Sequence, residues 1–143
     1  MNNRRNPLNA YKETSIRTSS QGKLIIMLYD EAIKQIKSAE GMIEEKSKKM
    51  DAVNNAIIRA QDMITELMVS LDFDKGGEIA KNLFSLYMFF NQQLMQANMK
   101  KDPEEMKKVR TMLSELRETW QQVIKKTGNQ GGSTSGSGVN IAG

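Results

Sequence analysis

The sequence predicts an all-α fold, an antiparallel up-down four-helix bundle, and three observations predict it. Four segments carry apolar residues at alternating steps of three and four. No segment alternates apolar with polar residues as a half-buried strand does. Two glycine-bearing stretches, two prolines and a lysine-rich hinge separate the segments. Stripes near period 3.5 joined by short connections pack as antiparallel neighbours. At 143 residues the chain suits one domain, large enough to bury a core without covalent staples.

The first helix is expected to start at Ser20, a good N-cap, and to carry Ile25, Tyr29, Ala32, Ile36, Ala39 and Ile43 before fading into the charged "EEKSKK". Asp51 is the expected cap of the second helix, whose stripe is Val53, Ile57, Ala60, Ile64, Leu67 and Leu71. "DFDKGG" is expected to end that helix, because Gly76 and Gly77 accept left-handed backbone conformations. The third stripe is Ile79, Leu83, Leu86, Phe90, Leu94 and Ala97. "DPEE" opens the fourth helix with Asp102 as cap, Pro103 at the first helical position and Glu105 at the capping-box position. Met106, Val109, Leu113, Leu116, Trp120 and Val123 follow, ahead of a Lys-Lys-Thr-Gly stop. The expected layout is a short extended or helical N-terminal segment over residues 1–19, the bundle over 20–128, and a disordered C-terminal tail over 129–143. Within that tail "VNIA" is the one stretch with apolar side chains, an unstructured terminus or a short docking strand.

Composition excludes much chemistry. With no Cys there is no thiolate or disulfide framework, and with no His there is neither an imidazole base nor the commonest metal ligand. Asp72, Asp74 and Glu78 in "DFDKGGE" lack the rest of a calcium loop. "QGKL" lacks a phosphate-cradling loop, and a di-iron bundle needs the Glu-x-x-His pairs this chain does not have. No metal, no cofactor and no enzymatic activity are expected. The 21 Lys and Arg against 17 Asp and Glu give +4, scattered without a recognition motif, so no nucleic-acid partner is expected. The longest apolar run, Leu24 to Tyr29, is six residues. That excludes membrane insertion by a spanning helix, and with no signal-peptide run after the N-terminal arginines the expected location is cytoplasmic.

The apolar side chains exceed what four stripes need. Met27 and Leu28 on the first helix, Ile58, Met63 and Met68 on the second, and Phe84, Tyr87, Met88 and Phe89 on the third lie wholly or partly beside their stripes. A wide core absorbs some of these, but each helix of a small bundle keeps one outer face. The 11 methionines suit a surface that repacks against different partners, since an unbranched thioether adapts more readily than a branched chain; they equally suit a gap-filling core. "NAYKETSIRTSS" spaces Tyr11 and Ile16 among polar residues, as a displaceable cover over an apolar groove would.

"NAYKETSIRTSSQGKLIIMLYDEAI", then "LDFDKGGEIAKNLFSLYMFFNQQLMQAN", then a closing helix with Trp120, resemble the flagellar secretion chaperones of the FliS type. The resemblance runs from about Tyr11 to about Lys126, and its strongest pieces are "MLYD", "KGGEIA", "LY" and "QAN", in the family's order and spacing. This chain departs from the family in having Gln21 after Ser20 instead of Pro, and Met88-Phe89-Phe90 where Asp-Tyr-Met is common. The resemblance implies a chaperone that binds the C-terminal segment of flagellin, blocks premature assembly and hands the client to the flagellar export apparatus. It also implies a client wrapped around the bundle as an extended chain with short helices. On that reading Met27, Leu28, Met63, Met68, Phe84, Tyr87 and Met88 are the expected client contacts, Tyr11 and Ile16 the cover, and the protein is a monomer or weak dimer without client. The competing expectation is a structural bundle that self-associates through its apolar flanks.

Overall fold

The computed structural model describes residues 21–129, which form four helices and no strand: α1 (Gln21–Glu44), α2 (Met50–Val69), α3 (Phe73–Lys100) and α4 (Pro103–Asn129). Ser20, the N-terminal segment with Tyr11 and Ile16, and residues 130–143 lie outside the described residues. The helices pack as a ring in which α1 touches α2 and α4, and α3 closes the ring by touching the same two. Contact is most extensive around α1 and least extensive around α3.

Most of the first two stripes folds as its spacing predicts: Ile25, Tyr29, Ala32, Ile36 and Ala39 are buried on α1, and Val53, Ile57, Ala60, Ile64 and Leu67 on α2, while Ile43 is half-buried and Leu71 lies past the end of α2. Leu24 and Leu28 are buried with them, so four of the six residues in the run Leu24–Tyr29 enter the core. Asp51 does not cap α2. The helix starts one residue earlier, at Met50, with Lys49 at the N-cap position and Asp51 in the first turn, where its charge faces the positive end of the helix dipole.

The largest correction falls on "DFDKGG", which opens α3 instead of ending α2. The second helix stops at Val69, and Asp72 caps the third, its Oδ1 accepting from the Lys75 amide at 3.0 Å. Gly77 then takes φ 51°, ψ −125°, which kinks the helix after its first turn, a conformation that a side chain would oppose. Beyond that kink Phe90, Leu94 and Ala97 of the expected stripe are buried. Ala80 and Tyr87 enter the core, Leu83 and Leu86 are half-buried, and Ile79, expected inside, is 58% exposed. At the start of the fourth helix the reading holds, with Pro103 its first residue and Asp102 Oδ1 accepting from the Glu104 and Glu105 amides at 3.0 and 3.4 Å, but the helix runs through the expected Lys-Lys-Thr-Gly stop to Asn129. Met106, Val109, Leu113 and Trp120 are buried there, while Leu116 and Val123 are half-buried.

Polar ties fix the ring. The Tyr29 and Tyr87 hydroxyls bond each other at 2.6 Å across the core between α1 and α3. Arg110 of α4 grips the buried Glu40 of α1 with two bonds of 2.6 and 3.0 Å, Arg117 grips Asp30, and Arg59 of α2 reaches Glu31 at 2.9 Å. Lys101 holds a left-handed backbone (φ 53°) at the α3–α4 turn, and its ammonium donates to Asn54 Oδ1 of α2 at 2.8 Å.

Burial raises the proton affinity of both tyrosine hydroxyls above the ordinary tyrosine range. Their proton affinity is higher folded than unfolded, so the contribution is complete below about pH 10 and is lost as pH rises further. Tyr29→Phe or Tyr87→Phe alone should cost about 1–3 kcal/mol by stranding the other hydroxyl. The double variant should cost less than the sum, and its alkaline unfolding midpoint should move upward. A denaturant double-mutant cycle repeated at neutral and alkaline pH reads both effects, and additive losses would show the pair uncoupled.

Two glycines of α1 offer an opposed pair of outcomes. A Cβ on Gly22 would lie 2.9 Å from Ile124 of α4, whereas one on Gly41 would meet nothing within 4 Å. Gly41→Ala should raise stability by roughly 0.5–1 kcal/mol through helix propensity. Gly22→Ala should lose part or all of that gain by displacing Ile124. Thermal melts of the two variants distinguish them, and equal stabilisation would mean that the α1–α4 approach is looser than described.

Candidate protein-docking surface

Ten large apolar side chains are exposed among the described residues, and six of them, Phe73, Ile79, Met88, Phe89, Met95 and Met99, belong to α3. The outer face of a surface helix ordinarily carries charge. From Asn82 to Met99, however, α3 has no charged residue at all. Its inward stripe follows Tyr87, Phe90, Leu94 and Ala97, and on the outward side Ser85, Met88, Gln92, Met95 and Met99 repeat the same steps of three and four. One helix therefore presents two seams, one occupied by the bundle and one open, and the open one has the spacing against which a further helix packs.

The groove between α2 and α3 continues this surface. Its register is set by Asn91 Nδ2 donating to Thr65 Oγ1 at 3.2 Å and by Gln61 Nε2 donating to the Asn91 carbonyl at 3.0 Å. In antiparallel register, Ile58 (51% exposed) and Met95 (49%) lie to one side of that bridge. Val69, Met88, Phe84 and Phe73 lie to the other, the last two in an edge contact with ring centroids 5.8 Å apart. The Asn91 Oδ1 is buried without a hydrogen-bond partner. The groups named along this groove carry no charge, so a segment docking here would gain from burial of apolar surface, roughly 1.5–3 kcal/mol per fully buried side chain, as an amphipathic segment can.

The expected contact residues divide into three sets. Met68, Phe84 and Met88 border the α2–α3 groove. Met27 (52% exposed) stands one turn before Glu31, and Met63 one turn after its partner Arg59, so antiparallel register places both along the seam between α1 and α2. Leu28 and Tyr87, at 2% and 1% exposure, are core residues, and the bundle would have to open for a partner to reach them. Ile58 and Phe89 are exposed flank residues as their spacing suggested. Val69, Phe73, Met95 and Met99 were missed, and the uncharged run through Met99 was the signal that points to the last two.

Displaced proton affinities mark ties between helices, not a cleft. Arg59 and then Gln35 hold the Glu31 carboxylate below its ordinary range, and the guanidiniums of Arg110 and Arg117 are stabilised by Glu40 and Asp30. Among the described residues no group of three or more acids could hold a metal ion, and no helix is long and apolar enough to cross a membrane. What the geometry offers is a helical scaffold with an apolar docking face.

Residues 4–127 match the family model described as flagellar protein FliS. The chain is 34% identical to a flagellar secretion chaperone FliS of Salmonella typhimurium over 82% of its own length and 87% of that protein. It is 32% identical to the Bacillus subtilis flagellar secretion chaperone FliS (84% and 87% covered) and 31% identical to that of Vibrio cholerae (83% and 89%). The chain belongs to the FliS family.

Core and surface separate experimentally. Leu28→Ala should cost about 2–5 kcal/mol of stability. Met88→Glu, on the open seam, should change stability by less than about 0.5 kcal/mol. Denaturant melts of the two variants check this, and a large loss from Met88→Glu would return that residue to the core.

Proposed function

We propose that this protein is a flagellar export chaperone that holds the disordered C-terminal segment of flagellin in the cytoplasm, prevents its premature polymerisation and delivers it to the flagellar export apparatus. The observation that carries this reading is the uncharged outer seam of α3, with Met88, Met95 and Met99 exposed in helical register beside the α2–α3 groove. Family membership supplies the class of client. A disordered segment pays its ordering entropy on binding, so it can be held over a large surface and still be released without a nucleotide. The methionines let one groove fit segments that differ in side-chain shape. The protein acts by binding and catalyses no reaction.

Tyr11 and Ile16 anchor the N-terminal segment as a cover that the client displaces. Charge supports this: Arg4, Arg5, Lys12 and Arg17 stand in that segment, and Asp72, Asp74 and Glu78 stand at the start of α3, the bundle end at which α1 also begins.

Calorimetric titration with a peptide covering the last forty or so residues of flagellin should give saturable one-to-one binding with a negative heat-capacity change. Met88→Glu with Met95→Glu should weaken that binding at least tenfold while leaving the melting temperature in place. No binding by a folded wild-type chain would remove flagellin as the client. Binding indifferent to the two substitutions would move the site off α3.

A further inference from the structure

We propose that the apolar stretch Val139–Ala142 of this chain docks back onto the flank of α3 that faces α4, leaving the α2–α3 flank free for a partner. This inference does not depend on which partner that is.

The surface comes first. Ile79 and Phe89 are 58% and 43% exposed, and both lie far round α3 from Asn91, the residue that marks the α2 side. At 100° per residue Ile79 and Leu86 sit about 120–140° from Asn91, across the inward stripe. Phe89 leans the same way, its ring packed on Phe90 with centroids 6.2 Å apart. On α4 the half-buried Met112 and Leu116 point away from the α1 side that Arg110 and Arg117 mark. Together these residues form a second apolar flank, uncharged on α3 from Asn82 to Met99.

Chain geometry then selects the occupant. Ile79 precedes Lys101 by 22 residues and Ile124 follows Asp102 by 22, so in an antiparallel pair they are level. Asn129, only five residues past Ile124, is therefore at the same end of the bundle as Ile79. Val139 is ten residues further on. Ten residues of glycine- and serine-rich chain span at most about 35 Å and on average roughly 17 Å. Neighbouring helix axes are only about 8–10 Å apart, so the stretch reaches the flank easily. Val139 and Ile141 fall on the same side of an extended segment, as a two-anchor contact requires.

Charge selects it as well. Residues 130–143 contain no charged side chain, matching the uncharged run of α3 from Asn82 to Met99. Tethering supplies an effective concentration in the millimolar range, enough for a contact too weak to form between separate molecules. The family match stops at residue 127, so the docking stretch is outside the part of the chain shared with the family model.

The absence of cysteine permits a clean test. Ala142→Cys in the full chain carries a nitroxide label, and isoleucine methyl signals are compared with a diamagnetic control, Ile58 on the α2–α3 flank serving as internal reference. The expected result is at least a twofold greater loss of intensity at Ile79 than at Ile58, abolished by Val139→Ser with Ile141→Ser. Equal attenuation at the two sites, or a preference that survives the serine substitutions, would overturn the proposal. Attenuation appearing only in mixtures of spin-labelled and isotope-labelled chains would overturn it too, in favour of docking on a second copy. The free chain suffices for all of this, so failure of the flagellin titration and failure of this docking are separately visible.

Discussion

The apolar run at the start of α1 imposes the constraint on which the arrangement depends. Leu24, Ile25, Leu28 and Tyr29 are all buried, and on a helix they spread over well more than a narrow stripe. One neighbouring helix cannot cover such a width. The first helix is therefore held between α2 and α4, and ion pairs at both rims, Glu31 with Arg59 and Glu40 with Arg110, keep the two neighbours in place. The part of the run that lies furthest out, Met27, remains half in solvent.

With both flanks of α1 occupied, α3 has only the far side of the ring. Its link to α1 is the tyrosine hydroxyl pair, a buried polar contact satisfied on both sides and therefore specific for one rotation of α3. Less of its circumference is covered, so an outer seam stays open. Most bundles would fill that seam with charge for solubility. Here uncharged polar residues and methionines fill it, and such a surface adapts to a partner without removing ionised groups from water.

Division of labour among the helices follows from this. The paired faces of α1, α2 and α4 supply most of the burial, so the outer seam of α3 is free of any large part in the fold. The proposed holding of a disordered segment would use such a separation, because a site that also carried the fold could not change for a client without a cost in stability.

Much of this was legible in the sequence: the number of helices, the stripes of α1 and α2, the cap at Asp102 and Pro103, and an excess of apolar residues centred on α3. Those features are local, since periodicity and capping depend on neighbours three or four residues away. Tertiary structure alone decided which residues of the excess are core. Leu28 and Tyr87 are as apolar in sequence as Met27 and Met88, yet the first two are buried and the last two exposed. The reason is rotation about the helix axis: the Tyr29–Tyr87 bond fixes the rotation of α3, so that Tyr87 turns in and its neighbour Met88 turns out. No spacing rule within one helix contains that angle, which is fixed by the helices around it.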